Sequence, residues 1–271
     1  MKVAALQMVS TPDVGRNLEA AKSLLQQAAQ AGAELAVLPE YFCLLGHKDT
    51  DKLAIAERAG YGRLQEFLSQ CATDFKLWIV GGTVPLDASQ PGKVYNSTLV
   101  YNPQGQCVAR YDKMHLFCFD NGQENYDESR VLSPGKTPVT FDLPSRDGHT
   151  WRIGLSICYD LRFPELYRAL GSSGADLMLV PSAFTYTTGQ AHWALLLRAR
   201  AAENLAYVLA AAQGGLHENG RRTWGHSVVV DAWGRIMAEQ AEEPGVVLAD
   251  IDKASLMAWR AQLPALSHRV L

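Results

Sequence analysis

No apolar run in the sequence approaches the ~20 residues needed to span a bilayer, so a membrane protein is not expected. Charge of one sign is equally lacking. A formal net charge of −3 over 271 residues gives no basic field for counterion-driven binding to nucleic acid, and the adjacent Arg221 and Arg222 make only a local pair. The first residues, MKVAALQMVSTPDV, carry one lysine and a short apolar run broken by Gln7. They lack the longer apolar core and small-residue cleavage site of a secretion signal. They read as a first strand, and a cytoplasmic location is expected.

Cysteine is scarce and unpaired. Cys43, Cys71, Cys107, Cys118 and Cys158 are odd in number and scattered, without a C-x-x-C pair. That argues against a disulfide framework or a thiolate zinc site and for free thiols in a reducing compartment. The seven histidines form no H-E-x-x-H or similar cluster, and no glycine-bearing loop has the spacing that cradles phosphates. Neither a metal nor another cofactor is expected. Repeats, low-complexity tracts and linker-like segments are missing as well, so residues 1–271 are expected to form one domain.

What is present is a hydrophobic content of 48%, ordinary for a globular enzyme, in an alternating pattern. KVAALQM reads as a strand, NLEAAKSLLQQAAQAG as an amphipathic helix closed by Gly32, and LAVLPE as a strand stopped by Pro39. GYGRLQEFLSQCATDF has helical spacing, LWIVGGTV reads as one apolar strand, and VYNSTLVYNPQGQCVARYDKMHLF as two strands joined by NPQGQ. After a polar, irregular stretch come the strands TPVTFDL and TWRIGLSI and the helix RFPELYRALGSSG, with Pro164 in its first turn. DLMLVPSAF, QAHWALLLRARAAEN and AYVLAAAQ read as strand, helix and strand. The hairpin GHSVVVDAWGRIMAE, the strand GVVLADI and a short helix near SLMAWRAQL complete the chain. So many strands suit two sheets packed face to face with helices outside, although periodicity alone equally allows one wide, doubly wound sheet.

Three residues follow apolar strands and could share the work of acyl transfer: Glu40 in VLPEYF, Lys113 in YDKMHLF and Cys158 in SICYDLRFPE. A thiol needs a base, because its thiolate is the nucleophile and its ordinary pKa lies near 8.5. Glu40 in an apolar pocket would be such a base, and Lys113 would place a positive charge where a carbonyl oxygen becomes an oxyanion. Singly these signals are weak. A lone cysteine at a strand end is more often a small core residue, and a lone Glu or Lys is more often solvated. A serine nucleophile is disfavoured, since in GLSIC the cysteine occupies the last glycine position of a G-x-S-x-G elbow.

Taken together, LPEYF, YDKMHLF, ESRVLSPG and GLSICYDLRFPEL resemble, in this chain order, the nitrilase superfamily of carbon–nitrogen hydrolases. The resemblance covers essentially the whole chain. It implies an α/β fold, a four-layer αββα sandwich of two packed mixed sheets with helices on both outer faces. It also implies a Glu-Lys-Cys triad at Glu40, Lys113 and Cys158, with a second glutamate at Glu128. PSAFTYTTGQAHWALLLRARAAENLAYVLAAAQGG and GHSVVVDAWG are similar to the Nit branch. That implies an amidase working through a thioester, with deaminated glutathione as the expected small-molecule amide substrate. 2-Oxoglutaramate is the alternative, and a catalytically silent binding subunit the reading from another class. Lys113 and the Tyr159 N–H would hold the oxyanion. A dicarboxylate-like acyl group needs a cation, for which Arg162 is the candidate, with a salt bridge to Glu165 or Asp160 as its structural alternative. Tyr41, Phe184, Thr185 and Tyr186 are candidates for lining the cavity from their positions. The loop Cys118–Asp127 departs from the branch pattern. A homodimer or higher homo-oligomer is also implied by the resemblance.

Overall fold

The computed structural model describes residues 1–122 and 125–270, so Gln123 and Glu124 of the atypical loop lie outside the described residues. The first half of the chain runs β1 (Lys2–Gln7), α1 (Val14–Gln30), β2 (Leu35–Val37), α2 (Arg63–Phe75), β3 (Trp78–Val80), β4 (Val84–Asp87), β5 (Val94–Tyr101) and β6 (Cys107–Asp112). Two short strands, β7 (Cys118–Asp120) and β8 (Asn125–Asp127), lead into the second half. There follow β9 (Thr140–Pro144), β10 (Thr150–Leu155), α3 (Pro164–Ser172), β11 (Leu177–Ser182), α4 (Tyr186–Asn204) and β12 (Tyr207–Ala212). The chain finishes with β13 (Gly214–Leu216), β14 (Arg222–Trp224), β15 (Ser227–Val230), β16 (Ile236–Gln240), β17 (Gly245–Asp250) and α5 (Lys253–Gln262).

The helices start and stop for local reasons. The Asp13 carboxylate accepts from the Arg16 N–H at 2.9 Å and caps α1, whose buried Leu18, Ala21, Leu25 and Ala28 recur at helical spacing. α2 ends where Lys76 turns into the left-handed region at φ +53°. Pro164 opens α3, where a missing N–H leaves no intrahelical bond unmade.

Seven strands form the first sheet, in the order β17-β1-β2-β3-β5-β4 with β6 also on β5. Its centre, β1, β2 and β3, is parallel. The second sheet runs β16-β15-β12-β11-β10-β9, again with a parallel centre of β10, β11 and β12. Parallel strands covered on both faces need near-continuous apolar runs, and VAAL of β1, LAV of β2 and LMLV of β11 supply them. Val3, Ala5, Leu35 and Val37 point into a core shared with the second sheet, while Ala4, Leu6, Ala36 and Leu38 pack on α1 and α2. α3 and α4 contact β10 and β12, on the far side. The result is the expected four-layer αββα sandwich. Burying a leucine such as Leu25 in it contributes about 2 kcal/mol. Among the described residues no helix is long and apolar enough to cross a membrane.

Three details differ from the sequence reading. LWIVGGTV is two strands, not one. Gly82 breaks it at φ +50°, where a Cβ would stand 2.1 Å from the Pro39 carbonyl oxygen. The close approach has a use, because Thr83 Oγ1 then accepts the Tyr41 N–H at 2.9 Å and fixes the turn that carries Glu40. The ribbon β13–β14 and the 3₁₀ segment Asp49–Ile55 arise in polar stretches with no period to reveal them. β7 and β8 do the same within the departing loop, pairing Cys118 with Asp127.

Candidate active site

Glu40, Lys113 and Cys158 each stand just beyond the C-terminal end of a strand, β2, β6 and β10 respectively. The frame therefore sets their backbones while their side chains converge. All three are buried. Cys158 adopts φ +47° and Tyr41 φ +58°, both in the left-handed region that non-glycine residues avoid. The surroundings hold these conformations in place. The Asp160 carboxylate accepts from the Ile157 N–H at 2.9 Å, from the His115 N–H at 3.0 Å and from the Tyr111 hydroxyl at 2.7 Å. One side chain thus ties the Cys158 turn to the segment after Lys113. His115 stacks on Phe163 with centroids 3.7 Å apart, closing the same joint.

At the bottom, the Lys113 ammonium donates to Glu40 Oε1 at 2.9 Å and to Glu128 Oε1 at 2.9 Å. Asn96 Nδ2 donates to Glu40 Oε1 at 2.8 Å and the Ala183 N–H to Glu40 Oε2 at 3.0 Å. Tyr41 O–H donates to Glu128 Oε1 at 2.8 Å and the Phe117 N–H to Glu128 Oε2 at 2.7 Å. Every carboxylate oxygen has a donor, as buried charge requires.

Burial decides the electrostatics. It pushes Glu40 above the usual carboxylate range, against the pull of Lys113 and with help from the nearby Glu128 charge. It also acts to raise Glu128, but Lys113 and Lys52 outweigh it and leave that carboxyl below its ordinary value. Burial alone would depress the Lys113 ammonium, yet Glu128 and Glu40 overcome it and hold the residue charged, well above the ordinary lysine range. Burial and the Glu40 charge hold the Cys158 thiol well above the ordinary thiol value, with Lys113 opposing. A protonated thiol facing a carboxylate of raised basicity is a pair between which a proton can move. The other buried thiols differ: Cys43 is pushed up to about 12 and Cys71 to about 11 by burial, with no such partner set.

A cleft of about 720 Å³, counted to its open mouth, reaches Glu40, Glu128 and Cys158 from the surface. Tyr41, Tyr159, Phe184 and Thr185 line it. Arg162 and Tyr186 do not. The Arg162 guanidinium lies 5.6 Å over the Phe184 ring and meets His192 at 3.3 Å, because the 3₁₀ turn Cys158–Arg162 sends it behind the aromatic wall. Its alternative partner Asp160 is occupied as described above. Tyr186 instead receives the Arg222 guanidinium on its ring at 3.8 Å. The cations that do line the cleft are Lys52, Arg221 and Arg222, which the sequence reading passed over. The adjacent Arg221 and Arg222 were the only available signal. Among the described residues no group of three His, Cys, Asp or Glu side chains is arranged to hold a metal ion.

Residues 2–261 match the carbon–nitrogen hydrolase family. A deaminated glutathione amidase of Synechocystis sp. is 43% identical over 98% of this chain and 97% of its own, and that of Homo sapiens is 42% identical over 98% and 81%. Among solved structures, Saccharomyces cerevisiae Nit3, a member of branch 10 of the nitrilase superfamily, superposes with a TM-score of 0.86. It is 32% identical, and the match covers 97% of this chain and 94% of that one. By fold, by strand-end site and by sequence over almost its whole length, this chain belongs to the carbon–nitrogen hydrolases of the nitrilase superfamily.

Proposed function

We propose that this carbon–nitrogen hydrolase is a cysteine-dependent amidase that cleaves deaminated glutathione to 2-oxoglutarate and cysteinylglycine through a thioester on Cys158. The observation that carries the reading is the buried Glu40–Lys113–Glu128 cluster beside the Cys158 thiol at the end of an open cleft. The choice of substrate rests on the similarity to the Synechocystis and human amidases.

Glu40 takes the proton from Cys158 as sulfur attacks the amide carbon, and the raised basicity of Glu40 suits that transfer. The developing oxyanion faces the Lys113 ammonium and the Tyr159 N–H. Protonated Glu40 passes its proton to the leaving nitrogen, the C–N bond breaks and a thioester remains. Water then gives a proton to Glu40 and attacks the thioester. The C–S bond breaks, and the proton returns to sulfur. Glu128 keeps the Lys113 ammonium in place at 2.9 Å throughout. No step needs a cofactor.

The proposal extends to residues 1–271 acting as one domain in the cytoplasm and self-associating as a homodimer or higher homo-oligomer. Leu195 on α4, 67% exposed, together with Trp233 and Ile236, offers apolar surface for such a contact. The test of the activity is product release. The wild-type protein is expected to form 2-oxoglutarate and cysteinylglycine in equal amounts from deaminated glutathione, and Cys158→Ala to form neither. Turnover by the alanine variant would remove Cys158 from the mechanism.

A further inference from the structure

The three cations that line the cleft, and Lys113 buried beneath it, are not equivalent. Lys113 is held by two carboxylates, Arg221 donates to Asp49 at 2.8 Å and Arg222 to Glu242 at 2.9 and 3.0 Å. Lys52 makes no ion pair among the described residues, and its ammonium stands 4.5 Å over the Tyr41 ring. The Tyr41 hydroxyl in turn binds Glu128, so Lys52 sits on the wall next to the buried cluster. Lys52 and Arg221 also line a side recess with Tyr41, Leu44, Leu45, Lys48 and Asp49. Within that recess the positive charges of Lys48, Lys52 and Arg221 face the one negative charge of Asp49. A cation taken partly out of water without a carboxylate is unfavourable in the resting protein, and an incoming anion removes the penalty. Burial lowers the proton affinity of the Lys52 ammonium, and the charges of Glu128 and Asp49 only partly offset it. Arg221 is set beforehand, fixed by Asp49 and lying 5.6 Å over the Tyr126 ring.

We propose that Lys52, with Arg221 beside it, is the carboxylate subsite of the cleft and selects amides whose acyl group ends in a carboxylate. The inference deepens the amidase reading and rests on it. The recess carries an excess of positive charge, which an incoming carboxylate would offset. Leu44 and Leu45 line the same recess, a setting suited to a short methylene chain between that carboxylate and the amide carbon. A neutral acyl group leaves Lys52 without its partner.

The probe is glutarate, used to slow alkylation of Cys158 by iodoacetamide as followed by intact-protein mass. Wild-type protein is expected to be protected. Lys52→Met should need about 10- to 100-fold more glutarate for the same protection, the range of a lost charge-assisted bond. Lys52→Arg, which keeps the charge, should stay within a few-fold of wild type. Equal protection of wild type and Lys52→Met, or no protection of wild type, would overturn the subsite. A protein that shows the Lys52 effect but releases no cysteinylglycine from deaminated glutathione keeps the subsite and loses the substrate. One that turns over deaminated glutathione without the Lys52 effect does the reverse.

Discussion

The bottom of the cleft and its rim are built differently. At the bottom, Glu40, Lys113 and Cys158 extend from strands embedded in two sheets, and every carboxylate oxygen has a donor. At the rim, Lys52, Arg221 and Arg222 sit on a 3₁₀ segment and a three-residue strand with its turn, and the arginines are held by partly exposed ion pairs. In the proposed reading the sheet frame supplies the chemistry, and short local segments choose what reaches it.

The sharpest way to break this contrast is at Lys113. Lys113→Met leaves Glu40 and Glu128 buried against each other with no cation between them. Acylation should slow by about 100-fold or more, as for a lost oxyanion donor. Urea unfolding should show a loss of about 3–5 kcal/mol, the usual result of stripping one partner from a buried ionic group. A stable, active variant would mean that the bottom is no more demanding than the rim. Asp160→Asn comes next. It turns an acceptor of bonds from Tyr111, His115 and Ile157 partly into a donor. A loss of about 1–3 kcal/mol is expected, with kcat falling and KM nearly constant. A KM effect alone would show that Asp160 does not set the Cys158 turn.

A smaller effect lies in the pH profile. As the proposed base, Glu40 has to be ionised to take the thiol proton, and burial first of all raises it. Activity should therefore appear only as pH rises through a value above the ordinary carboxylate range, and Glu40→Gln should abolish that limb with the activity. An acid limb at an ordinary carboxylate value would contradict the desolvated base. The smallest effect belongs to the rim. Arg222→Met removes a half-exposed pair with Glu242 and a stacking contact on Tyr186, and should change stability by under about 1 kcal/mol in the same urea assay. A loss as large as that of Lys113→Met would erase the distinction.

The same contrast explains what the sequence disclosed. The strand LMLVPS shows as an unbroken apolar run and the helix after Asp13 shows its helical period, and of the three residues at the bottom Glu40 and Cys158 follow apolar runs of the first kind. The choice between two sheets and one wide sheet needed the resemblance, because residues buried on both faces show no alternation. The rim was hidden. Lys52 lies in a polar segment without a period, and Arg221 acquires its meaning from Asp49, 172 positions away. Arg162 misled for the opposite reason: closeness to Cys158 in the chain says nothing of direction, and the 3₁₀ turn aims it behind Phe184. LWIVGGTV looked continuous because its break depends on the Pro39 carbonyl, far away in sequence.

Rapid-quench mass spectrometry of the wild-type protein mixed with excess deaminated glutathione bears most directly on the central claim. An acyl adduct confined to the peptide that contains Cys158, formed and lost at rates matching turnover, is the predicted result. Steady turnover with no adduct on that peptide, or with the adduct on another cysteine, would contradict the account.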